Sequence, residues 1–451
     1  MSEQQDLTQG SIKPHLIRLA IPASMGMMFD TLYNLTDNWF AGMISDNALV
    51  GLSIASIVFI LLIAITIGLQ SGISAMVAPD FANKNQTKIN SWIANGIGIG
   101  LVMSVFIIII GVNYAGHLMD LLSKDSIAKE ASWDYLYIII LGNLAYAVSS
   151  VCAGALIAMG NTVIYRNVLV AGFFGNLILN PLLTFYFGMG IKGLALATVI
   201  IKSCSAIYLF ISLKKKTSVF HWPQFNFARW KPCLKQILPS SFNFLTIIIG
   251  AFIIVAFIGR FGSEAVAGYS VALRIEQVLL LPVLGLSSAV MAIVGQNFGV
   301  QAFDRIQETM KHTLKLGLLI SCLFIPIMVF AGPLLMGFFT DNKEIIATGT
   351  LYLQADAAAF YGYVIIFACV AVLQAIKQPN FPLVIGILRQ LILPIVVNYI
   401  LIVQLGYPLP YLFWSIVIIV IVSALIMYWY TRKQLSQLTQ SAKINDNKLD
   451  T

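Results

Sequence analysis

Residues 19–42 read LAIPASMGMMFDTLYNLTDNWFAG, and residues 236–259 read QILPSSFNFLTIIIGAFIIVAFIG. Laid over one another at a shift of 217, Pro22 meets Pro239 and Gly42 meets Gly259. The same shift pairs Gly51 with Gly268, Gly68 with Gly285, Tyr135 with Tyr352, Tyr146 with Tyr363 and Cys152 with Cys369. A duplicated fold follows, and duplication of this kind is common among secondary transporters. The repeat also supplies an internal control. Asp30, Asn34 and Asp37 fall opposite Ile247, Ala251 and Ile254, so the fold tolerates aliphatic residues where the first copy carries polar ones.

Of the 451 residues, 59% are hydrophobic and 10% charged. A soluble domain carries about a quarter charged residues. Apolar stretches of about 20 residues, enough to cross a bilayer, can be laid down twelve times. The first set is 15–41, 48–77, 91–115, 131–157, 163–187 and 191–213, and the second is 235–258, 265–295, 312–336, 348–374, 381–404 and 408–431. The expected fold is an all-α polytopic membrane protein, with twelve transmembrane helices in two pseudo-symmetric six-helix bundles. Runs such as VFIIIIGV at 105–112 do not suit the alternating strands of a membrane β-barrel.

These spans divide the chain into an N-terminal lobe (1–213), a linker (214–234), a C-terminal lobe (235–431) and a polar tail (432–451). The linker carries aromatic residues among Lys and Arg, which suits a segment lying along a membrane surface. The tail is rich in Gln, Asn and Lys and is expected to be disordered. The net charge of +8 is read as topology rather than as a nucleic-acid surface. Lys124, Lys129, Lys192, Arg260 and Lys343 lie on one side, while Lys202, Arg274 and Arg389 fall inside spans. The remaining 19 of 27 Lys and Arg lie on the other side. The positive-inside rule then makes both termini cytoplasmic, in a plasma or bacterial inner membrane. The start MSEQQDLTQGSIK lacks the apolar core of a cleaved signal, so the first span is expected to be retained.

Five cysteines show neither a disulfide framework nor a CxxC metal signature. None of the four histidines falls well inside a span, and HExxH and nucleophile-elbow motifs are absent. An enzyme is not expected.

A carboxylate in hydrocarbon is costly, so acids within spans are candidate functional residues. Asp30, Asn34 and Asp37 stand at i, i+4 and i+7 on the first span, Asn176 and Asn180 at i, i+4 on the fifth, and Thr198 and Lys202 at i, i+4 on the sixth. Their second-lobe counterparts at the shift of 217 are Leu393, Val397, Ser415 and Ile419. The expectation is a polar cavity confined to the N-terminal lobe; the competing reading is hydrogen bonding between helices for packing alone. Counted from the outer span ends, Asp37 lies four residues in, and Asp30, Asn176 and Lys202 eleven. That spacing suggests an outer layer able to hydrate and a central Asp30–Lys202 ion pair. In the second lobe Arg274, Glu276, Asp356 and Arg389 form a candidate polar network, with Arg389 a partner for Glu276. Pro22 is expected to kink the first helix and is a candidate hinge.

Several blocks carry a resemblance: residues 19–42, FGSEAVAGYSVALRIEQVLLLP at 261–282, AIVGQNFG at 292–299, NLILNPLL at 176–183 and GLALATVI at 193–200. Together they resemble multidrug and toxic compound extrusion (MATE) transporters, closest to the DinF-like bacterial branch. The resemblance implies a two-lobed antiporter that exports amphipathic, mostly cationic compounds against proton or sodium entry. It makes Asp37 the essential acid, with Tyr135, Asn176, Asn180 and Thr198 around it. The chain departs from the pattern in three ways: Asn180 stands where the DinF-like branch has a second acid, Ile247 and Tyr363 stand near where the NorM-like branch has second-lobe acids, and Asp30 and Lys202 lie outside the usual set. No cofactor is expected beyond the coupling ion. That ion is read as a proton; sodium held at Asp37 and Asn180 is the alternative, and a flippase for lipid-linked intermediates is another. The expected partners are small amphipathic molecules and the bilayer, not nucleic acid, and the expected state is a monomer.

Overall fold

The computed structural model describes residues 6–122, 125–217 and 227–449. The first copy contains α1 (Ile12–Ile44), α2 (Asp46–Ala82), α3 (Gln86–Leu122), α4 (Ser126–Ala158), α5 (Thr162–Pro181) and α6 (Ile191–Lys214). The second contains α7 (Phe227–Ile258), α8 (Ser263–Gly299), α9 (Phe303–Phe330) and the short α10 (Gly332–Gly337). It continues with α11 (Lys343–Ala357), α12 (Phe360–Ala375), α13 (Asn380–Ile387), α14 (Leu393–Asn398) and α15 (Leu409–Leu449). Among the described residues, ten helices are long and apolar enough to cross a membrane, and the pair α11–α12, bent by 57°, makes an eleventh. α1, 33 residues long, completes the twelve; Asp30, Asn34, Asp37 and Asn38 make it more polar than the rest. The protein is thus an all-α polytopic chain of two six-span halves.

The repeat holds at the level of single turns. α8 covers the residues of α2 displaced by 217, and α11 with α12 covers those of α4. Lys84 and Gln301, also 217 apart, both take a left-handed conformation, at φ 53° and 59°, in the turns after α2 and α8. A side chain at Gly51 would meet the Ala128 carbonyl at 2.9 Å, and one at Gly268 would meet the equivalent Ile345 carbonyl at 2.8 Å. Both glycines let one helix lie on another's backbone. In the second copy that partner helix breaks at Ala358 and Ala359, two residues after Asp356, with no proline or glycine at the break.

Two compact units emerge, one of Met25–Ser241 and the other of Leu7–Ser24 with Phe242–Thr451. In the first, α4 packs against α2, α3 and α6; in the second, α8 packs against α9, α11 and α12. The unit boundaries differ from those expected at 213 and 235. The N-terminal half of α1 belongs with the second copy, and the N-terminal half of α7 with the first. The changeovers, at Ser24/Met25 and Ser241/Phe242, are themselves 217 apart and fall just after Pro22 and Pro239. The contacts match: a Cβ at Gly68 would meet the Ile237 carbonyl at 2.7 Å, and one at Gly285 would meet the Ala20 carbonyl at 2.7 Å.

Two further expectations are corrected. Part of the linker, 218–226, lies outside the described residues, but Phe227 to Leu234 are already helix, with Cys233 buried and Trp230 and Leu234 packed on the first unit's core. The tail is not disordered as expected, since α15 runs on to Leu449. Leu435 is buried, Gln434 accepts a hydrogen bond from the Gln378 amide at 3.2 Å, and Thr439 accepts one from Gln307 at 2.9 Å. Composition underestimated this helix because its anchors are a few side chains within a polar stretch. The N-terminal segment is tied down as well. Arg305 donates to the carbonyls of Gly10 (3.0 Å) and Leu7 (3.3 Å), and the Leu7 amide donates to Gln296 at 3.1 Å.

Candidate functional site

Three helices of the first unit each bring polar residues to one point. α1 presents Tyr33 and Asp37, one turn apart; α5 presents Asn176 and Asn180; α6 presents Thr198. Pro181 ends α5, lacking the N–H that would continue its ladder, and a π-helical turn follows at Leu182–Tyr186. A Cβ at Gly193 would lie 2.8 Å from the Thr184 amide nitrogen, so the glycine allows α6 to start directly against that turn.

Asp37 is 5% exposed, and Asn176, Asn180 and Thr198 are buried with it. The amides of Asn176 and Asn180 both donate to Asp37 Oδ1, at 2.7 and 2.8 Å, and Asn180 also donates to Asn176 Oδ1 at 3.0 Å. Thr198 donates to Asp37 Oδ2 at 3.4 Å and accepts from the Tyr33 hydroxyl at 2.9 Å. Tyr135 is buried beside Thr198. Every direct partner of the carboxylate is neutral, and one acceptor remains over: Asn180 Oδ1 is buried with no partner. Such an atom is a binding opportunity for a proton-bearing group or a small cation. Among the described residues no group of three or more His, Cys, Asp or Glu is placed to hold a metal; any cation here would be held by amide, hydroxyl and carboxylate oxygens.

The second part of the predicted set stands apart from Asp37. Lys202 Nζ lies 3.6 Å from Asp30 Oδ1, and the side chains are 23% and 46% exposed. The order of exposure is therefore the reverse of the expected layering, with Asp37 enclosed and Asp30 open. Asn34 does not join either group. It is exposed, and its amide donates to the Asp30 carbonyl at 2.8 Å. At 3.6 residues per turn, Asn34 points about 60° away from Asp37 around the helix, on the side opposite Tyr33. Tyr33 was not among the expected residues, although its place four before Asp37 and three after Asp30 marks the shared face.

In the second unit the Tyr352 hydroxyl donates to Glu276 Oε2 at 2.6 Å, and Tyr363 donates to Asp356 Oδ1 at 3.0 Å. Asp356 Oδ2 is buried without a partner. Two members of the expected network behave differently. Arg389, 8% exposed, makes no ion pair with Glu276 within 4.0 Å, so the tyrosine takes the place expected of it. Arg274 is exposed, two residues along α8 and off the buried face that holds Glu276. Pro22 is buried within an unbroken α1.

A duplicated six-span fold that encloses a carboxylate among neutral donors in one copy defines a class of polytopic membrane proteins, and the comparisons narrow it. The MatE family model matches residues 22–182 and 239–400, two segments whose starts are again 217 apart. The chain belongs to this family, whose members are membrane transporters rather than enzymes. It is 25% identical over 405 residues to the FAD transporter of Shewanella oneidensis, covering 87% of this chain and 89% of that one. It is 22% identical over 419 residues to the multidrug export protein MepA of Staphylococcus aureus, covering 89% and 90%. Among solved structures, a multidrug resistance MATE family transporter of the MOP superfamily superposes with a TM-score of 0.90 at 23% identity, covering 98% of this chain and 99% of that one. A MOP superfamily transporter from Pyrococcus furiosus gives 0.90 at 22% identity, covering 97% and 99%.

Proposed function

We propose that this chain is an efflux antiporter of the plasma or bacterial inner membrane, which exports amphipathic compounds by alternating access as a cation enters at Asp37. The observation that carries the reading is the enclosure of Asp37: a buried carboxylate, held only by neutral donors, at a place where the second copy builds the same helix with Ile254. Packing does not require the acid. A negative charge in this setting attracts a cationic compound, and a bound cation cancels that attraction, so the two compete for one site. The name of the Staphylococcus relative, a multidrug export protein, supports amphipathic and mostly cationic drugs as substrates. The protein acts as a monomer with both termini in the cytoplasm, and Pro22 lets α1 bend during the cycle.

The coupling ion in this reading is the proton, because a single carboxylate with three neutral donors needs only one proton to become neutral. Sodium is the second reading. The unpartnered Asn180 Oδ1 beside Asp37 gives it a neutral oxygen ligand, and hard cations prefer oxygen donors.

The test is flux of a cationic dye in proteoliposomes, driven separately by a proton gradient and by a sodium gradient. Wild-type protein should respond to the proton gradient, and Asp37→Asn should fold and insert yet lose driven flux. Undiminished driven flux in Asp37→Asn would overturn the assignment.

A further inference from the structure

Lys202 sits at the middle of its span, eleven residues from the start of α6 and twelve from its end. An ammonium carries three N–H donors and no acceptor. Here it meets the Asp30 carboxylate at 3.6 Å, beyond hydrogen-bond distance, and the ring faces of Tyr33 and Tyr146 at 5.7 and 5.5 Å. Ring faces stabilise the charge but accept no directed N–H bond of ordinary strength. A second polar group beside the ammonium is also unused: Tyr146 is 7% exposed, and its hydroxyl is buried without a partner. An ammonium loosely held by one carboxylate, over a ring whose own hydroxyl is unpartnered, supplies donors of the kind an anion uses.

The acid nearest this ammonium is poorly placed to hold it. Asp30 is 46% exposed at its side chain, so protein does not hold it in place when another acceptor takes Nζ. Lys202 keeps the stabilisation of the two rings throughout the exchange. The same place in the second unit is Ile419, 7% exposed, so the cation is not a packing requirement of the fold.

We propose that Lys202, with Tyr146 beside it, forms an anion-recognition subsite that takes the carboxylate or phosphate of an amphipathic substrate, displacing Asp30. The substrate range then includes compounds with an anionic group as well as cations drawn to Asp37. Calling the ligand a substrate rests on the efflux reading; the binding itself does not.

The test is equilibrium binding to purified full-length protein in detergent, without any gradient, using three fluorescent probes with one ring system: pyrenebutyrate, its neutral primary amide and the matching pyrenebutylamine. Titrations are corrected for partition into protein-free micelles. Wild-type protein should bind the carboxylate about tenfold more tightly than the amide, the range of a charge-assisted hydrogen bond. Lys202→Met should abolish that difference, and Lys202→Arg should keep it. Asp30→Asn should widen it, because the competing acceptor is gone, while weakening the amine. Equal binding of carboxylate and amide by the wild type, or a preference that survives Lys202→Met, overturns the proposal. Should Lys202→Met fail to give monodisperse protein, Asp30→Asn decides: an unchanged carboxylate-to-amide ratio counts against the subsite. Loss of gradient-driven flux with these binding ratios intact would refute the efflux reading alone.

Discussion

Asn180 gives its amide to Asp37 across 2.8 Å while its own carbonyl oxygen is left buried and unpartnered. One side chain thus holds the carboxylate and also offers the nearest free acceptor to whatever neutralises it. A buried unsatisfied acceptor costs about 1–3 kcal/mol, and that cost is relieved when the site is filled.

Replacing Asn180 by Leu separates the two coupling ions. Asp37 keeps its bonds from Asn176 and Thr198 and loses the amide oxygen beside it. Proton-driven flux should persist at a reduced rate, and any sodium-driven component should vanish. Complete loss of proton-driven flux in correctly folded protein would transfer the coupling role to a multi-oxygen cation site.

For Asp30 and Lys202 the exposure sets the scale. A buried ion pair is costly to break, but side chains 46% and 23% exposed leave a survivor that protein does not enclose. Asp30→Asn or Lys202→Met alone should lower stability by at most about 1 kcal/mol, and the double substitution should restore much of that loss. Lys202→Met should not rescue Asp37→Asn. Thermal unfolding and dye flux on all five variants check this, and a rescue of Asp37→Asn by Lys202→Met would place the lysine in coupling itself.

Gly68→Val and Gly285→Val should each collapse the yield of monodisperse protein. In both, the new Cβ would lie 2.7 Å from a main-chain carbonyl, of Ile237 and of Ala20 respectively, and backbone cannot yield as a side-chain tip can. Ser241→Ala should therefore not rescue Gly68→Val. Size-exclusion profiles with near-wild-type yield for either glycine variant would contradict the close approach.

Orientation is open to direct labelling. In a background with the exposed Cys204 and Cys322 replaced by Ser, single cysteines at Lys216 and Lys343 should react differently with an impermeant reagent in intact cells. Only the one at 343 should be modified, following the asymmetric distribution of Lys and Arg. The opposite pattern would invert the topology.

The twelve spans and the repeat were legible because hydrophobic length and a constant shift of 217 survive in the residues themselves. Asp37, Asn176 and Asn180 were legible for the same reason: polar residues at helical spacing stand out against apolar helices and against aliphatic counterparts, whereas Thr198, opposite Ser415, was legible only from its spacing to Lys202. Finer angles were not. Asn34 shares a coarse face with Asp37, yet a rotation of about 60° carries it to the exposed side, and hydrophobicity alone does not register that difference. Arg274 failed similarly, two residues from Glu276 but on another face. The break between α11 and α12 has no proline or glycine to announce it. The helix beyond Thr431 depends on contacts such as Gln307 with Thr439, which join residues more than a hundred apart.

The exchange of half-helices between units bears on how the chain is made. The segment from Leu7 into α1 leaves the ribosome early, but the surfaces that receive it are built much later, by Gln296, Asn297 and Arg305 around Leu7 and by Gly285 against Ala20. Until α8 exists, that segment lacks these contacts. The first half of the protein therefore cannot complete its assembly while it is being synthesised, and the second half in turn must surrender the beginning of α7 to it. Assembly at these two joints waits for the later element, the start of α7 in one case and α8 in the other: each half is finished only by a piece of the other.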